Sequence, residues 1–508
     1  MSHRTRSRFR IAWLAIIGLS LCDGWTSAQN STPNENHESW HVVYIGNQRV
    51  GYEVSRERSE LRDKKKILIN DLESHMTLKR FGQALSMSTT TRTEESESGE
   101  LLRFAIEMKN PPAQITTTEG VINGSEVELT STVAGRTTKR RAGWEPDAKS
   151  TAYLDRLFHE HPLKPRESRS FKVYLPDLAK FSQVHLAADE LRPVKLLDGK
   201  EHSLLKVTVK FASIPELDQR QYVDADGRVK FVETDKLGLV IRAYDVTREV
   251  ALQAIAGEEL DLAINTLVRI DPPILDAHRK KKIIYRISMK EESPERFFVS
   301  GGTQQIKRLP AKDQKDPAIE LTVTAKTIPP INSRPVKTDD VFLTPSRFLQ
   351  TRDPAVLDHA ERAAAGETDP SRIATRMEKY VREKLKKKNF STAMASAAEV
   401  AKSLEGDCTE HAVLLAAMLR AKKVPSRIAT GLVYVESLNS FGGHMWTEAF
   451  LAGEWIPLDG TLGKGGIGPA HLKMADSALD EDAPLPITTF LPAFQALGKL
   501  KIEVLKTE

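Results

Sequence analysis

Alternating apolar and polar residues dominate the first half of the chain and favour strands over helices. The run from Leu205 to Phe211 places its apolar residues at every second position, which gives a strand one core face and one solvated face. Asn123-Gly124, between two strand-like runs, is the strongest hairpin signal. A short helical stretch around Ala152 to Phe158 is expected to interrupt the strands. We therefore predict a β-rich domain over residues 38–255.

Two proline pairs punctuate the region that follows. They lie in Asp271-Pro272-Pro273 and in Ile328-Pro329-Pro330, and the segments Ile283 to Ile287 and Leu321 to Thr324 between them are again strand-like. Proline is tolerated mainly at sheet edges and in turns, so each pair favours a boundary. We predict either a small β-sandwich-like domain or an extension of the first sheet over residues 260–340, and both alternatives remain open.

The composition changes after about residue 345, where helical spacing replaces alternation. Apolar positions recur at helical intervals in three segments and again after Cys408. The three segments are Ala355 to Ala365, Ile373 to Leu385 and Ala397 to Leu404. The strand-like segments that follow are Arg427 to Val435, Met445 to Leu451 and Trp455 to Leu458. Helices followed by an antiparallel sheet form an α+β pattern, so the predicted fold is multidomain, with a β-rich N-terminal region before an α+β domain at 345–508.

The N-terminus has the pattern of an export signal. Four arginines within the first ten residues precede the apolar segment Ile11 to Leu21, and Thr26-Ser27-Ala28 offers small residues for cleavage. A helix that crosses a bilayer needs about 20 apolar residues, so an uncleaved anchor is the weaker alternative. A lipoprotein at Cys22 is also weaker, because the preceding Leu21 is bulky. We expect a signal peptide over residues 1–28 and a periplasmic, cell-surface or secreted location.

Charge and cysteine content narrow the function classes. The net charge is only +5, from 74 basic and 69 acidic residues, and the lysine clusters are scattered along the chain. Such clusters are typical of a solvated surface rather than of a nucleic-acid interface. The chain has 2 cysteines, so cleavage after Ala28 would leave Cys408 alone and no internal disulfide. A lone thiol in an oxidising compartment is a liability unless it is buried or useful.

The surroundings of Cys408 are unusual for a packing residue. It follows Gly406-Asp407 in a polar segment, immediately before an apolar helical run. The positive end of a helix favours a thiolate, and its free amide groups can bind a developing oxyanion. A single cysteine considered without context is more often structural, but the polar flanks favour a nucleophile.

His444 and Asp459 lie downstream of Cys408 on adjacent strand-like segments. A two-residue turn at Ala452-Gly453 would place Asp459 opposite Trp446 and diagonal to His444, whereas a turn one residue earlier would place Asp459 directly opposite His444. Both registers keep the two side chains on one face, within about 4.5–8 Å. The order nucleophile, base, orienter therefore fits a cysteine acyl-transfer site. The alternatives are a half-buried strand histidine and a turn-capping aspartate.

Three motifs in this order resemble the signatures of the transglutaminase-like superfamily. They are Gly406-Asp407-Cys408-Thr409-Glu410-His411, Gly443-His444-Met445-Trp446 and Leu458-Asp459-Gly460-Thr461. The resemblance covers about residues 350–475, and it departs from the usual pattern mildly at Met445 and Gly460. It implies a papain-like core, with Cys408 as nucleophile, His444 as base and Asp459 as orienter.

The resemblance also implies further site residues. The family usually adds a side-chain oxyanion donor upstream of the cysteine, and Asn389 is the nearest residue of a suitable type, although a place in a surface loop is the simpler interpretation. Supporting roles are expected for Asp407, Glu410, His411 and Trp446. The glycine-rich segment 463–468 is interpreted as a flexible loop, and His471 as a surface residue.

The predicted function is an exported cysteine enzyme that hydrolyses or transamidates amide bonds, with no cofactor and no metal. Its substrate could be a protein, a peptide or a cell-wall amide, and nucleic acid is not expected; envelope association and oligomeric state stay open. One alternative is an inactive transglutaminase-like scaffold of the cell envelope. Another is a zinc site at Cys408 and His411, although a closed zinc site needs more ligands than these two.

Overall fold

The computed structural model describes most of the chain from residue 37 onward. The described residues are 37–508 except 112, 114, 236–238, 256–259, 262, 263, 265, 291, 311–316, 331–336, 392, 393, 463–465, 481–495, 497 and 498. The predicted signal peptide and part of the glycine-rich loop lie outside them. Among the described residues no helix is long and apolar enough to cross a membrane.

The N-terminal region is one antiparallel sheet of 14 strands. Its strands are β1 (His37–Ile45), β2 (Gln48–Arg62), β3 (Lys65–Arg80), β4 (Gln83–Ser96), β5 (Leu101–Lys109), β6 (Thr116–Asn123), β7 (Glu126–Val133), β8 (Arg136–Gly143), β9 (Ser168–Leu175), β10 (Lys180–Lys195), β11 (Glu201–Phe211), β12 (Gln219–Val223), β13 (Val229–Thr234) and β14 (Ile241–Val246). Helix α1 (Tyr153–Glu160) separates β8 from β9, and α2 (Arg248–Ala251) follows β14. The prediction of a β-rich N-terminal region is confirmed.

Two meanders make up this sheet. Strands β1 to β8 pair in sequence order, as do β9 to β14, and the pairing of β1 with β14 joins the two halves. Buried side chains from both halves, such as Leu78 and Val207, belong to one hydrophobic cluster. The sheet therefore curves so that both halves share a core, which the alternating sequence makes possible by placing apolar residues on one face.

In the described part of the chain, five short strands follow the N-terminal sheet and do not pair with it. They are β15 (Val268–Arg269), β16 (Lys282–Met289), β17 (Gln304–Arg308), β18 (Ala318–Thr324) and β19 (Lys326–Thr327). Strand β16 has strictly alternating burial, as expected for a strand with one core face.

The C-terminal domain combines four helices with a second antiparallel sheet. In the described residues the helices are α3 (Pro354–Ala364), α4 (Pro370–Lys384), α5 (Ala397–Ser403) and α6 (Cys408–Ala421), and the strands of the sheet are β20 (Ser426–Val435), β21 (Ser440–Leu451), β22 (Glu454–Leu458) and β24 (His471–Ser477), together with β15. Strand β23 (Gly466–Ile467) pairs with β19 instead. Asp353 and Asp369 cap α3 and α4, accepting backbone N–H groups at 2.9 Å, and a proline follows each cap. This is the order that helix starts favour.

Helix α6 lies at the centre of this domain. Nearly all of its residues are buried, including Leu414, Leu415 and Met418. They pack with α3, α4, α5 and the face of β20 and β21 in one hydrophobic cluster. Its residues 412–419 are all apolar, as expected for a helix segment that is buried on every side. The nucleophile candidate at its first residue is therefore held on a rigid element.

The last strand returns the chain to the middle of the molecule. Strand β25 (Leu500–Thr507) pairs with β16, in a sheet of order β17-β18-β16-β25. This sheet is separate from the 14-stranded one, and its buried residues pack against those of β20, β21 and β24. Strands β16, β17 and β18 of the region predicted at 260–340 thus form a sheet with residues 500–507, a long-range pairing that local sequence patterns do not indicate.

Candidate active site

The local sequence around Cys408 folds into a capped helix start. The Asp407 carboxylate accepts the Thr409 N–H at 2.8 Å, and the Asp407 N–H donates to the Glu410 carboxyl at 2.9 Å. This reciprocal capping box satisfies donors that the helix leaves unpaired. Cys408 is the first residue of α6 and is half-buried, so its thiol lies at the positive end of the helix with partial access to solvent.

Gly406 is required by the geometry of this helix start. Its φ is +147°, and a Cβ at this position would lie 2.3 Å from the Cβ of Glu410. Both the backbone conformation and the space exclude other residues. The glycine therefore lets the chain pass close to Glu410 and turn into α6.

The structure brings His444 and Asp459 together in the interior of the C-terminal domain. His444 Nε2 lies 2.9 Å from Asp459 Oδ2, and the two residues are 6% and 1% exposed. His444 is on β21, and Asp459 follows directly after β22. Leu451 pairs with Glu454 across the turn at Ala452-Gly453, which is the first of the two registers expected from the sequence.

The remaining contacts of Asp459 hold it as a carboxylate. Its Oδ2 also lies 3.0 Å from His471 Nε2, and its Oδ1 accepts the backbone N–H groups of Thr461 and Leu462 at 2.8 and 3.2 Å. Burial alone would raise the pKa of Asp459, but the charge of His444 and the hydrogen bonds from both imidazoles hold it well below its usual range. Asp459 is therefore a fixed negative charge that accepts from two rings.

The charge of Asp459 determines the state of His444. Burial lowers the pKa of His444, but the Asp459 carboxylate and a hydrogen bond with the Cys408 thiol outweigh it and raise the pKa to about 10. Since Nε2 faces Asp459, the other ring nitrogen, Nδ1, is the one left for the sulfur. The arrangement can hold an imidazolium between a carboxylate and a thiol.

His471 is not a surface residue, and that prediction is wrong. It is 2% exposed and lies at the start of β24, next to the ring of His444 with centroids 5.6 Å apart. Burial lowers its pKa to about 4 although Asp459 opposes the shift, so the ring is neutral and donates its Nε2–H. The sequence contained no motif that marked it, because β24 reaches Asp459 through pairing with β20.

Two further residues that the sequence analysis missed connect the parts of the site. The Asp459 N–H donates to the Glu378 carboxylate at 2.8 Å, which ties the end of β22 to α4. The Thr447 hydroxyl donates to the Ala412 carbonyl at 2.8 Å, which ties β21 to α6. Both contacts are buried, so they fix the strand of His444 relative to the helix of Cys408.

The predicted supporting residues surround this centre. The Trp446 ring stacks on His444 with centroids 6.2 Å apart.

Glu410 accepts the Ala395 N–H at 3.0 Å, and burial together with the charge of Asp407 raises its pKa to about 8. His411 directs its two ring nitrogens at the carbonyls of Asp407 and Leu385, at 2.5 and 3.1 Å. These contacts organise the start of α6.

Asn389 lies in the loop between α4 and α5. Its side-chain oxygen accepts the backbone N–H and the hydroxyl of Ser391, at 2.9 and 2.6 Å. These bonds shape the loop, as in an Asx turn. Its role as an oxyanion donor stays a prediction.

Three side chains of the site could in principle hold a metal ion. The ligand atoms of His444, Asp459 and His471 lie within 4.8 Å of one another, and all three residues are buried. Each histidine, however, uses Nε2 for its bond to the same carboxylate oxygen, so a metal would have to replace both protons. The two carbonyl contacts of His411 likewise occupy the nitrogens that zinc at Cys408 and His411 would need. The hydrogen-bonded arrangement therefore fits an acid–base site better than a metal site.

Comparison with known proteins gives one family match. Residues 358–460 match the model of the transglutaminase-like superfamily. This segment contains Cys408, His444 and Asp459. No curated protein matched the chain significantly.

Solved structures give distant similarities. The chain is 15% identical to a candidate cysteine protease from Cytophaga hutchinsonii, with a TM-score of 0.27, covering 45% of this chain and 86% of that one. It is 10% identical to a β-barrel-like protein of a domain of unknown function from Brucella abortus, with a TM-score of 0.31, covering 42% and 96%. A candidate protease from Parabacteroides distasonis is 12% identical, with a TM-score of 0.19, covering 68% of this chain and 63% of that one.

Proposed function

Residues 358–460 form a domain of the transglutaminase-like superfamily, and on this premise we propose that the protein is an exported cysteine enzyme that acts on amide bonds. The observation that carries the proposal is the buried bond between the His444 ring and the Asp459 carboxylate, together with the Cys408 thiol as one of the groups that raise the pKa of His444. A packing cysteine has no need of a buried imidazolium held by a carboxylate. A nucleophile has that need, because its thiolate must be stabilised.

The proposed reaction follows from the charges of Cys408 and His444. The Cys408 thiolate attacks the carbonyl carbon of an amide and forms a C–S bond, and the oxyanion is received by the N–H of Cys408, which the helix leaves unpaired. His444 gives its proton to the departing nitrogen as the C–N bond breaks, which leaves a thioester and a free amine. His444 then accepts a proton from water or from an amine that attacks the thioester, and the thiolate leaves.

Hydrolysis and transamidation differ only in this last acceptor, so both remain within the proposal. Proteins, peptides and cell-wall amides are the substrate classes. The export signal proposed at residues 1–28 directs the enzyme to the periplasm, the cell surface or the medium. The inactive-scaffold alternative has less support, because the buried charges around His444 and Asp459 cost stability that binding alone does not require.

Two assays with the full-length protein test the proposal. One follows the release of fluorescence from labelled casein, and the other follows hydroxamate formation from a blocked glutamine peptide with hydroxylamine. We expect turnover in at least one assay, and its loss by a factor of about 10³ or more in Cys408→Ala. Equal turnover in the variant, at equal folded content by circular dichroism, would remove the enzyme assignment.

A further inference from the structure

The tip of the β3–β4 hairpin in the N-terminal sheet reaches the start of the nucleophile helix. Strand β3 ends at Arg80 and β4 begins at Gln83. Arg80 forms an ion pair with the Asp407 carboxylate, at side-chain exposures of 20% and 5%. Asp407 caps α6 and directly precedes Cys408. A residue more than 300 positions earlier in the chain thus contacts the cap of the catalytic helix.

Other contacts hold this hairpin tip against the same part of the C-terminal domain. The Gln83 side-chain oxygen accepts the Phe390 N–H at 2.8 Å, and the rings of Phe81 and Phe390 lie 5.0 Å apart. The guanidinium of Arg80 lies 5.9 Å from the centre of the Phe390 ring. Val133, from β7, is buried in the hydrophobic cluster of the C-terminal domain. The contact is therefore built from apolar, polar and charged parts.

The hairpin tip is also held by hydrogen bonds with Leu260 and Asp261. The Asp261 carboxylate accepts the N–H groups of Phe81 and Gly82 at 3.2 and 2.7 Å, and the Lys79 N–H donates to the Leu260 carbonyl at 2.7 Å. This segment leads into β15, which pairs with β21, the strand that carries His444. The hairpin tip therefore contacts both the N-cap of the Cys408 helix and residues 260–261, which precede β15 in the chain.

The charges around Asp407 explain the role of Arg80. Asp407 and Glu410 are both buried, at 4% and 2% exposure, and the charge of Asp407 opposes ionisation of Glu410 by raising its pKa. The Arg80 cation counteracts this repulsion. Without it the Asp407 carboxylate would be a buried charge with no cationic partner among these contacts, and the cap would loosen.

We propose that Arg80 is a positioning residue of the active site, so that the N-terminal sheet and the C-terminal domain form one catalytic unit. Arg80 acts through Asp407, whose cap orients the first turn of α6 and thereby the Cys408 sulfur relative to His444. This inference rests on the proposed function and adds a role for the N-terminal domain. Small misplacements of reacting groups are costly, since about 1 Å can reduce a rate 10²-fold.

The test measures alkylation of Cys408 by iodoacetamide in the full-length protein, with the adduct located by peptide mass spectrometry. In Arg80→Met we expect the rate at pH 6 to fall roughly tenfold and the pH profile to move upward, while Arg80→Lys recovers part of the rate. Arg62→Met is the matched control, because Arg62 lies in the same sheet and pairs with Glu94 at an exposed site; it should leave the rate unchanged. If Arg80→Met does not fold, Arg80→Gln, which also removes the positive charge, is judged by the same criterion.

A double variant shows whether Arg80 acts through Asp407. In the Asp407→Asn background the Arg80→Met change should reduce the rate less than about twofold, since the two residues act as one unit. Full additivity would overturn the inference, as would an Arg80→Met protein with the wild-type rate and pH profile. Failure of the proposed function looks different: wild-type Cys408 would then react like a free thiol and would not respond to His444→Ala.

Discussion

His471 donates its Nε2–H to the Asp459 oxygen that also accepts from His444, at 3.0 Å. The Asp459 carboxylate is therefore shared by two imidazoles in different states. One ring is held as a cation by the carboxylate, and the other is kept neutral by burial. The neutral ring fixes the position of the carboxylate without competing for its charge.

This relationship predicts the effect of replacing His471. His471→Leu removes a charge-assisted hydrogen bond, which is worth about 1.5–3 kcal/mol, so we expect turnover in the casein or hydroxamate assay to fall roughly tenfold or more. His471→Gln can retain a donor and should keep most of the activity. His202→Leu is the control, because His202 lies on β11 only partly buried, where it pairs with Asp198 and not with the site. Equal activity of His471→Leu and the wild type would show that the second ring has no part in the reaction.

A second prediction concerns Gly406. A side chain there meets both a positive φ and a contact of 2.3 Å, so Gly406→Ala should lower the free energy of unfolding by about 2 kcal/mol or more. It should also slow alkylation of Cys408, because the first turn of α6 must move. Gly143→Ala is matched, since a Cβ at Gly143 meets nothing within 4 Å and its φ is not positive. Urea unfolding of the three proteins measures the difference, and equal midpoints would contradict the geometry.

The third prediction is that the free energy of unfolding depends on pH through the protonation of His41. Burial lowers the pKa of this residue to about 4, below the value of 6.5 for an exposed histidine. Between pH 6.5 and pH 4 the unfolded chain therefore binds a proton that the folded protein does not, and the contribution of His41 to stability falls as the pH falls. The change is about 1.4 kcal/mol per pH unit in this window.

The measurement compares the wild type with His41→Gln, because other buried groups titrate in the same range. The difference between their free energies of unfolding should change with pH between 4 and 6.5 and become constant above 7. Urea unfolding at half-unit pH steps gives this difference. A difference that does not vary with pH would mean that His41 titrates as an exposed histidine does.

The sequence was most informative where chemistry and local structure coincide. Cys408 follows a glycine and an N-cap aspartate, and local rules suffice to place it at a helix start. His444 is on β21 and Asp459 directly follows β22, which a short turn joins to β21, so counting residues was enough to place them on one face. The helices of the C-terminal domain likewise follow from their spacing and caps.

The residues that the sequence did not indicate depend on long-range pairing. His471 reaches Asp459 because β24 pairs with β20, and Arg80 reaches Asp407 because a hairpin of the first sheet contacts α6. Strand β25 pairs with β16 across more than 200 residues. No local pattern encodes which distant strands meet, since that choice is decided by packing of whole layers.

The most direct test of the central claim is the rate of Cys408 alkylation by iodoacetamide between pH 4 and pH 9. A free thiol titrates near pH 8.5, whereas the pKa of about 10 for His444 keeps an imidazolium beside the sulfur over this range. We expect a rate that is already high at pH 6 and nearly constant up to pH 9, and a return to the free-thiol profile in His444→Ala. A wild-type rate that rises only near pH 8.5, unchanged by the loss of His444, would contradict the account.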